Sequence, residues 1–300
     1  MSSVSFVSIR GNTVDAMKRA IQESLESINY SFDKQIRSIV IKPNMCYYWD
    51  FSTGQTTDPR FVAALITLLR HKISPDIKIF IVESDASAMK CRYVFKMLGY
   101  EKLARDYNVG LVNLSQDQGQ TVEVRVNGQN FHIVVPQVIQ NADLKINIPK
   151  IKYASEEIKM TCALKNIFGC NPYPKKFRYH SRLASAIVAI NKVMKFDLCL
   201  IDGYIVSGEH PRKLGLAMAS EDPVAIDAGA AKIAGLNPRK IEYLLLAQKE
   251  GLGQLRFIPV GKSLHYFRER YPRVSARTKI VNRAYRLLTQ SGLGSRIGMG

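Results

Sequence analysis

Residues 39–44 read IVIKPN, and the change of character within this stretch decides the fold. The β-branched run Ile39-Val40-Ile41 is typical of a strand buried in a parallel sheet. Pro43 has no backbone N–H to donate to a neighbouring strand, and it disfavours helical geometry at Lys42. The stretch therefore predicts a buried strand that ends here, with Lys42 and Asn44 at its carboxyl end.

A second stretch of the same kind lies at residues 77–85, where the apolar run Ile77–Val82 ends in Glu83-Ser84-Asp85. Between the two strands, Asp58-Pro59 supplies an N-cap and a proline at the first helical position, which predicts the helix Arg60–His71. Strands that alternate with helices predict an α/β fold, a mostly parallel sheet with helical crossovers. Ligands of such sheets bind beyond the carboxyl ends of the strands. Four polar residues at these ends are therefore candidate substrate-binding or catalytic residues: Lys42, Asn44, Glu83 and Ser84.

The remainder of the chain adds a β-hairpin and further strands. Asn127-Gly128 is the favoured turn pair between the alternating runs Thr121–Val126 and Phe131–Val135, so we expect a hairpin insertion there. The apolar runs that predict further strands are Leu144–Ile148, Asp197–Ile201 and Leu214–Ala219. We expect residues 1–253 to form an α/β domain, either undivided or as two subdomains that change near residues 115–150.

The segment Lys159–Cys170, KMTCALKNIFGC, combines two lysines with an otherwise apolar run. A lysine stem can lie along apolar surface while its ammonium reaches a polar cleft. In a strand, Lys159, Thr161 and Lys165 share one face, whereas in a helix only Thr161 and Lys165 fall one turn apart. Cationic groups at the rim of an apolar wall and ordinary surface lysines are equally supported by this segment alone.

Composition restricts the class of partner. The formal charge of +18 and the pI near 9.7 favour anionic partners such as phosphorylated metabolites, nucleic acid or an acidic membrane surface. The five scattered cysteines argue against a disulfide framework and for a reducing compartment, so we expect a cytoplasmic protein. No apolar run approaches the roughly 20 residues needed to cross a bilayer, and residues 1–12 do not resemble a secretory signal.

The last segment, residues 254–300, changes character and is rich in arginine. Ser275 can cap a helix whose residues Ile280, Val281, Ala284, Leu287 and Leu288 form one apolar stripe. We expect this basic helical tail to dock on the core of the protein, on a protein partner or on an anionic membrane surface. Specific nucleic-acid binding is not expected, because no recognisable binding module accompanies the basic residues.

These motifs, taken in order, resemble those of the DUF362 domain family over roughly residues 42–253. The stretches that carry the resemblance are Ile41–Asn44, Thr57–Arg60, Val82–Ser84, Ile148–Lys150, Thr161 with Ala163–Cys170, Asp202-Gly203, Arg212–Gly215 and Ser220–Asp227. The family is uncharacterised, and its members are often described as iron–sulfur-centre proteins because many carry a ferredoxin-like domain. This chain has the arginine-rich tail instead of such a domain.

The resemblance singles out a set of candidate site residues. We expect an enzyme that holds a small phosphorylated or carboxylate substrate with Lys42, Lys159 and Lys165 as a charge-assisted clamp. The further substrate-binding candidates are Asn44, Ser84, Thr161 and Asn166. The catalytic candidates are Glu83, Lys165 and Asp202, of which Lys165 could also act as a base or Schiff-base nucleophile if it is buried.

Other chemistries remain open at this point. Asp222 and Asp227 could hold a divalent metal such as Mg²⁺, although an N-cap before Pro223 fully explains Asp222. Cys170 could be a redox thiol or a buried apolar side chain. A redox protein would need Cys46, Cys162 and Cys170 to converge, for instance on an iron–sulfur cluster. A non-catalytic binding protein would instead act through the basic tail.

Overall fold

The computed structural model describes residues 1–153, 158–208 and 210–272. The strands are β1 Ser3–Ser8, β2 Ser38–Pro43, β3 Lys78–Glu83, β4 Gly110–Asn113, β5 Gly119–Val126, β6 Gln129–Pro136, β7 Leu144–Ile148, β8 Lys152–Tyr153, β9 Met160–Thr161, β10 Leu198–Val206, β11 Arg212–Ser220 and β12 Ile258–Gly261. The helices are α1 Val14–Ser27, α2 Pro59–Lys72, α3 Cys91–Met97, α4 Tyr100–Asp106, α5 Gln137–Gln140, α6 Ala163–Ile167, α7 Leu183–Met194, α8 Pro223–Ile233, α9 Glu242–Lys249 and α10 Leu264–Arg270.

Eight strands form one central sheet in the order β12-β1-β11-β10-β7-β2-β3-β4. All neighbours in this sheet pair in parallel except β11, which runs antiparallel to both β1 and β10. The predicted α/β class, with a mostly parallel sheet and helical crossovers, is therefore confirmed. The single reversed strand follows β10 directly as its antiparallel neighbour.

Helices cover both faces of the sheet, and the alternation of side chains along the strands explains why. In β2, Ile39 and Ile41 belong to the apolar cluster that contains α1 and α2, whereas Val40 belongs to the cluster that contains α7 and α8. Successive side chains of a strand point to opposite faces, so a strand covered on both sides must be apolar at every position. The run IVI satisfies this condition.

The predicted helix starts and the hairpin are present. The carboxylate of Asp58 accepts from the N–H of Arg60 at 2.9 Å, and that of Asp222 accepts from Val224 and Ala225 at 2.9 and 2.8 Å, each directly before a proline at the first helical position. Strands β5 and β6 pair through Asn127 and Gly128, whose φ angles of 48° and 76° are those of a two-residue hairpin turn. The hairpin packs against α7 in one apolar cluster.

The segment Lys159–Cys170 is neither a continuous strand nor a continuous helix. It contains strand β9, helix α6 and a 3₁₀ turn over Phe168–Cys170. The change from strand to helix at Cys162 means that the face shared by Lys159, Thr161 and Lys165 in an ideal strand does not exist.

The first part of the segment predicted as a basic tail belongs to the α/β domain. Strand β12 pairs in parallel with β1 at the edge of the sheet, and Phe267 of α10 is fully buried in the core. The helix predicted from Ser275 lies outside the described residues. Within the described part of the chain, none of the helices has both the length and the apolar character needed to span a bilayer.

Candidate functional site

The carboxyl ends of β7, β2 and β3 lie side by side, next to the middle of β10, and polar side chains collect there. In the register of these strands, Lys42 lies opposite Asn147 of β7, and Ile41 lies opposite Ile81 of β3, two residues before Glu83. Because parallel strands end at one edge of the sheet, residues far apart in sequence meet at this edge.

The first ion pair at this edge joins Lys42 to Glu83. Lys42 Nζ donates to Glu83 Oε2 at 2.8 Å, and the two side chains are only 1% and 3% exposed. Lys42 Nζ also donates to the Pro43 carbonyl at 2.7 Å, and Glu83 Oε1 accepts from the Ser84 N–H at 2.9 Å. Gly169 lies directly over the pair, since a Cβ at that position would be 3.3 Å from Lys42 Cε.

A second buried ion pair joins Lys150 to Asp202. Lys150 Nζ donates to Asp202 Oδ2 at 3.0 Å and to the Ile205 carbonyl at 2.7 Å. The same carboxylate accepts from the N–H of Asp58 at 2.8 Å and from that of Tyr204 at 3.0 Å. Asp202, in the middle of β10, therefore joins this strand to the start of α2.

Three buried asparagines are linked by hydrogen bonds at the same edge of the sheet. Asn44 Nδ2 donates to Asn166 Oδ1 at 2.9 Å, and Asn166 Nδ2 donates to Asn147 Oδ1 at 2.8 Å and to the Lys42 carbonyl at 3.1 Å. Asn147 Nδ2 donates to the Ala163 carbonyl at 2.9 Å. These bonds satisfy the buried amides and attach α6 to the sheet edge.

Three more lysines extend the group, and we call Lys42, Lys150, Lys152, Lys165 and Lys176 the lysine cluster. Lys152 Nζ donates to Asn44 Oδ1 at 2.8 Å and to the Gln55 carbonyl at 3.1 Å. Lys176 Nζ donates to Ser84 Oγ at 2.6 Å and to the Gly169 carbonyl at 3.1 Å, while Ser84 Oγ donates to the same carbonyl. Among the described residues, neither Lys152, Lys165 nor Lys176 forms an ion pair.

Burial and mutual repulsion lower the pKa values of these three lysines. The pKa of Lys165 is lowered from its ordinary 10.5 to about 8. Burial is the main cause of this shift, and the charge of Lys152 is the second. Burial likewise lowers the pKa of Lys152, with a contribution from Lys150 and Lys42. Burial lowers the pKa of Lys176, although the charge of Glu83 opposes the effect. The region is thus an electropositive site that disfavours the charged forms of Lys152, Lys165 and Lys176.

Two of the predicted binding residues do not contribute side chains to this group. Lys159 adopts a left-handed backbone conformation with φ 62°, and its Nζ donates to the Lys240 carbonyl at 2.7 Å, so its charge lies elsewhere. Thr161 is buried, and its backbone pairs with Lys152 across β8 and β9. The predicted residues that the structure does bring together are Lys42, Asn44, Glu83, Ser84, Lys165, Asn166 and Asp202.

The two aspartates predicted to hold a metal each serve a backbone function. Asp222 caps α8, and its Oδ2 accepts from Ser2 Oγ and from the Gln254 N–H. Asp227 is fully buried and accepts from the N–H groups of Ala163 and Leu164 at 2.6 and 3.2 Å. Burial raises the pKa of Asp227 to about 7. Residues 1–153, 158–208 and 210–272 contain no group of three or more His, Cys, Asp or Glu side chains that could hold a metal.

The cysteines proposed to converge lie in three different surroundings. Cys170 is fully buried beside Lys42 and Glu83, and burial raises its thiol pKa to about 12. Cys162 is buried beside Asp227 and Cys199, and burial raises its pKa as well. Cys46 is only half-buried and lies beside Lys152 and Lys165.

Cys46 is expected to be the single thiol of the native protein that reacts rapidly with DTNB, because the other four cysteines are buried. The absorbance of the released thiolate counts the reactive groups before and after denaturation. Cys46→Ser should abolish the fast phase, whereas Cys170→Ser should leave it unchanged. A second fast thiol in the native protein would contradict this assignment.

Four residues of the site escaped prediction from the sequence: Asn147, Lys150, Lys152 and Lys176. Lys150 and Lys152 follow β7 just as Lys42 follows the apolar run of β2. Their position directly after a buried strand could therefore have indicated them as site residues. Lys176 stands in a run of exposed basic and aromatic residues, and nothing local distinguishes it from Lys175.

Comparison with known proteins places this site in a family. Residues 39–232 match the family model described as "Domain of unknown function (DUF362)". The chain belongs to the DUF362 family. The matched residues include every member of the lysine cluster and both of its carboxylate partners, so the cluster lies within the DUF362 domain itself.

One curated relative of this DUF362 protein is "Thylakoid-associated protein sll1697" from Synechocystis sp., which is 27% identical over 250 residues, covering 79% of this chain and 75% of the relative. A solved structure, the lactate racemase apoprotein from Thermoanaerobacterium thermosaccharolyticum, aligns with a TM-score of 0.48 at 9% identity. That alignment covers 79% of this chain and 57% of the racemase chain.

Proposed function

We propose that this DUF362 protein is an enzyme that binds a small phosphorylated or carboxylate substrate at the lysine cluster. The observation that carries the proposal is an imbalance of charge among the described residues: the buried Lys42, Lys150 and Lys152 and the half-buried Lys165 and Lys176 accompany two carboxylates, Glu83 and Asp202. Unpaired buried charges are costly, and proteins usually pair them. An anionic ligand would supply the missing negative charge and accept charge-assisted hydrogen bonds from Lys152, Lys165 and Lys176.

The two ion pairs have a supporting role in this proposal. The two pairs hold Lys42 and Lys150 at the edge of the sheet. The ammonium groups of the other three lysines of the cluster are then available to the ligand. Glu83 has a second function as the candidate proton acceptor, because it lies beside both Lys42 and Lys176. Asn44 and Ser84 each accept from a lysine and thereby orient its ammonium.

Loss of an unpaired lysine is expected to weaken anion binding at least tenfold, because a hydrogen bond to a charged group contributes about 1.5–3 kcal/mol. Lys152→Met and Lys176→Met are the variants, and the probes are inorganic phosphate and oxalate at low ionic strength. Trp49 is the one tryptophan of the chain, 50% exposed in the loop after β2, so its fluorescence should report binding.

Lys159→Met is the matched control, since this lysine comes from the same chain segment as Lys165 but donates to the Lys240 carbonyl. It should bind both probes with the affinity of the unchanged protein. If Lys152→Met and Lys176→Met also bind normally, or if neither probe binds to the unchanged protein, the lysine cluster is not an anion site.

Two alternative functions are also predicted from the sequence. A thiol redox function would have to use Cys46, because burial raises the pKa of the Cys170 thiol and disfavours its thiolate. A membrane surface is the tail partner favoured by the name of the Synechocystis relative. The predicted helix that would make that contact lies outside the described residues.

A further inference from the structure

The backbone beneath Lys165 is fixed by side chains on both sides. The Leu164 N–H donates to Asp227 Oδ2 at 3.2 Å, and its carbonyl accepts from Asn191 Nδ2 at 2.8 Å. On the other side, Asn166 is bonded to Asn44, to Asn147 and to the Lys42 carbonyl. A helix as short as α6 would not hold its own geometry, so these bonds determine where Lys165 projects.

The ammonium of Lys165, in contrast, has no partner among the described residues. Every other member of the lysine cluster donates two hydrogen bonds through Nζ, but Lys165 Nζ makes neither a hydrogen bond nor an ion pair to any residue in the described ranges. Within the part of the chain that the structure describes, the titratable groups that face it are Lys152 of β8, Lys176 and Cys46. Two of these three groups are cationic, so the surroundings favour the neutral amine.

We propose that Lys165 is a nucleophile that forms an imine with the carbonyl group of a small anionic aldehyde or 2-oxo acid. A rigid backbone that carries a partially buried amine without partners is the arrangement that covalent amine catalysis requires. Lys152 and Lys176 flank the amine and would hold the carboxylate or phosphate of the same molecule. The inference rests on the proposed function, and it narrows the substrate class to anions that carry a reactive carbonyl.

The bonding changes of this step are balanced without an oxidant or a reductant. The lone pair of neutral Lys165 Nζ attacks the carbonyl carbon, which forms a carbinolamine after one proton moves from nitrogen to oxygen. The carbinolamine then loses its hydroxyl group and the second nitrogen proton as water, which leaves a carbon–nitrogen double bond. Lys165 has a pKa of about 8, so about half of the amine is neutral at pH 8.

Reductive trapping tests the inference directly. The full chain is incubated with pyruvate at pH 8, reduced with sodium borohydride and mapped by peptide mass spectrometry. We expect a reduced pyruvate adduct on Lys165, and at least tenfold less label on Lys159 of the same segment. Phosphate should compete with the labelling of Lys165, because it occupies the same lysines.

Lys165→Arg separates this inference from the proposed function. Arginine keeps the positive charge but does not form the imine, so the variant should bind phosphate and lose the trapped adduct. If pyruvate labels the lysines uniformly, or if the labelling pattern is unchanged in Lys165→Arg, the nucleophile assignment is wrong while anion binding stands. If Lys152→Met and Lys176→Met bind phosphate normally, the proposed function itself fails.

Discussion

Asp202→Ala is expected to lower the free energy of unfolding by about 3–5 kcal/mol, the usual result of breaking a fully buried ion pair. Among the described residues, the substitution leaves the buried ammonium of Lys150 with the Ile205 carbonyl as its one partner. It also removes the acceptor of two backbone N–H groups, those of Asp58 and Tyr204. Urea denaturation followed by circular dichroism measures the difference.

Two further variants distinguish the ion pair from a general effect of truncation. Asp106→Ala removes the carboxylate of an exposed pair with Lys102 and should cost less than 1 kcal/mol. Lys150→Met in the Asp202→Ala background removes the unpaired charge and should recover part of the loss. A loss below 1 kcal/mol for Asp202→Ala, or no recovery in the double variant, would contradict the structural role of the pair.

Prediction of the sheet succeeded because the decisive signals are local. Apolar runs that end in proline or in acidic residues locate β2 and β3, and the Asp-Pro pairs locate the starts of α2 and α8. Each of these signals acts within about five residues, through strand burial or through capping of backbone N–H groups. The carboxyl edge of the sheet, and with it Lys42 and Glu83, could therefore be predicted without a structure.

The direction of long side chains could not be predicted, because it depends on backbone geometry that sequence periodicity does not determine. Lys159 and Lys165 looked equivalent in KMTCALKNIFGC, but the left-handed conformation at Lys159 and the break at Cys162 send them to different places. The partner of Lys159 is a carbonyl 81 residues further along the chain, which no local pattern indicates.

The roles of the candidate aspartates depend on which groups donate hydrogen bonds to their carboxylates. Asp202 directly follows the predicted strand Asp197–Ile201, but β10 continues to Val206, so this catalytic candidate lies inside the strand. It accepts from two backbone N–H groups as well as from Lys150. For Asp222 the N-cap interpretation that its neighbour Pro223 suggested is confirmed. Asp227 had no such local signal, because the N–H groups it accepts from belong to α6, more than 60 residues earlier.

Lys165→Met is expected to stabilise the ligand-free protein at neutral and acidic pH. The pKa of Lys165 is about 8 in the folded chain against an ordinary value of 10.5, so folding disfavours the charged amine. The resulting destabilisation is absent above the ordinary pKa, grows as the pH falls toward 8 and is complete below 8. At about 1.4 kcal/mol per pKa unit, and after reduction for partial exposure, the gain on removal of the charge is about 2 kcal/mol at pH 6.

The pH dependence is what separates this effect from better packing of methionine, because a packing gain would not change with pH. Denaturation of both proteins from pH 6 to pH 10 should show a stability difference that shrinks above pH 8, while Lys159→Met stays within about 0.5 kcal/mol of the unchanged protein throughout. A stability difference that stays constant with pH would mean that folding does not disfavour the charged form of Lys165.

Anion binding should favour the charged form of Lys165. A bound anion stabilises this charged amine, whereas the ligand-free protein disfavours it. Phosphate is therefore expected to raise the melting temperature of the unchanged protein more at pH 6.5 than at pH 9, and to raise that of Lys165→Met much less at either pH. A residue that lowers stability in the absence of ligand and increases it in the presence of ligand is one retained for binding rather than for folding. Equal phosphate effects on both proteins would instead place the anion away from Lys165.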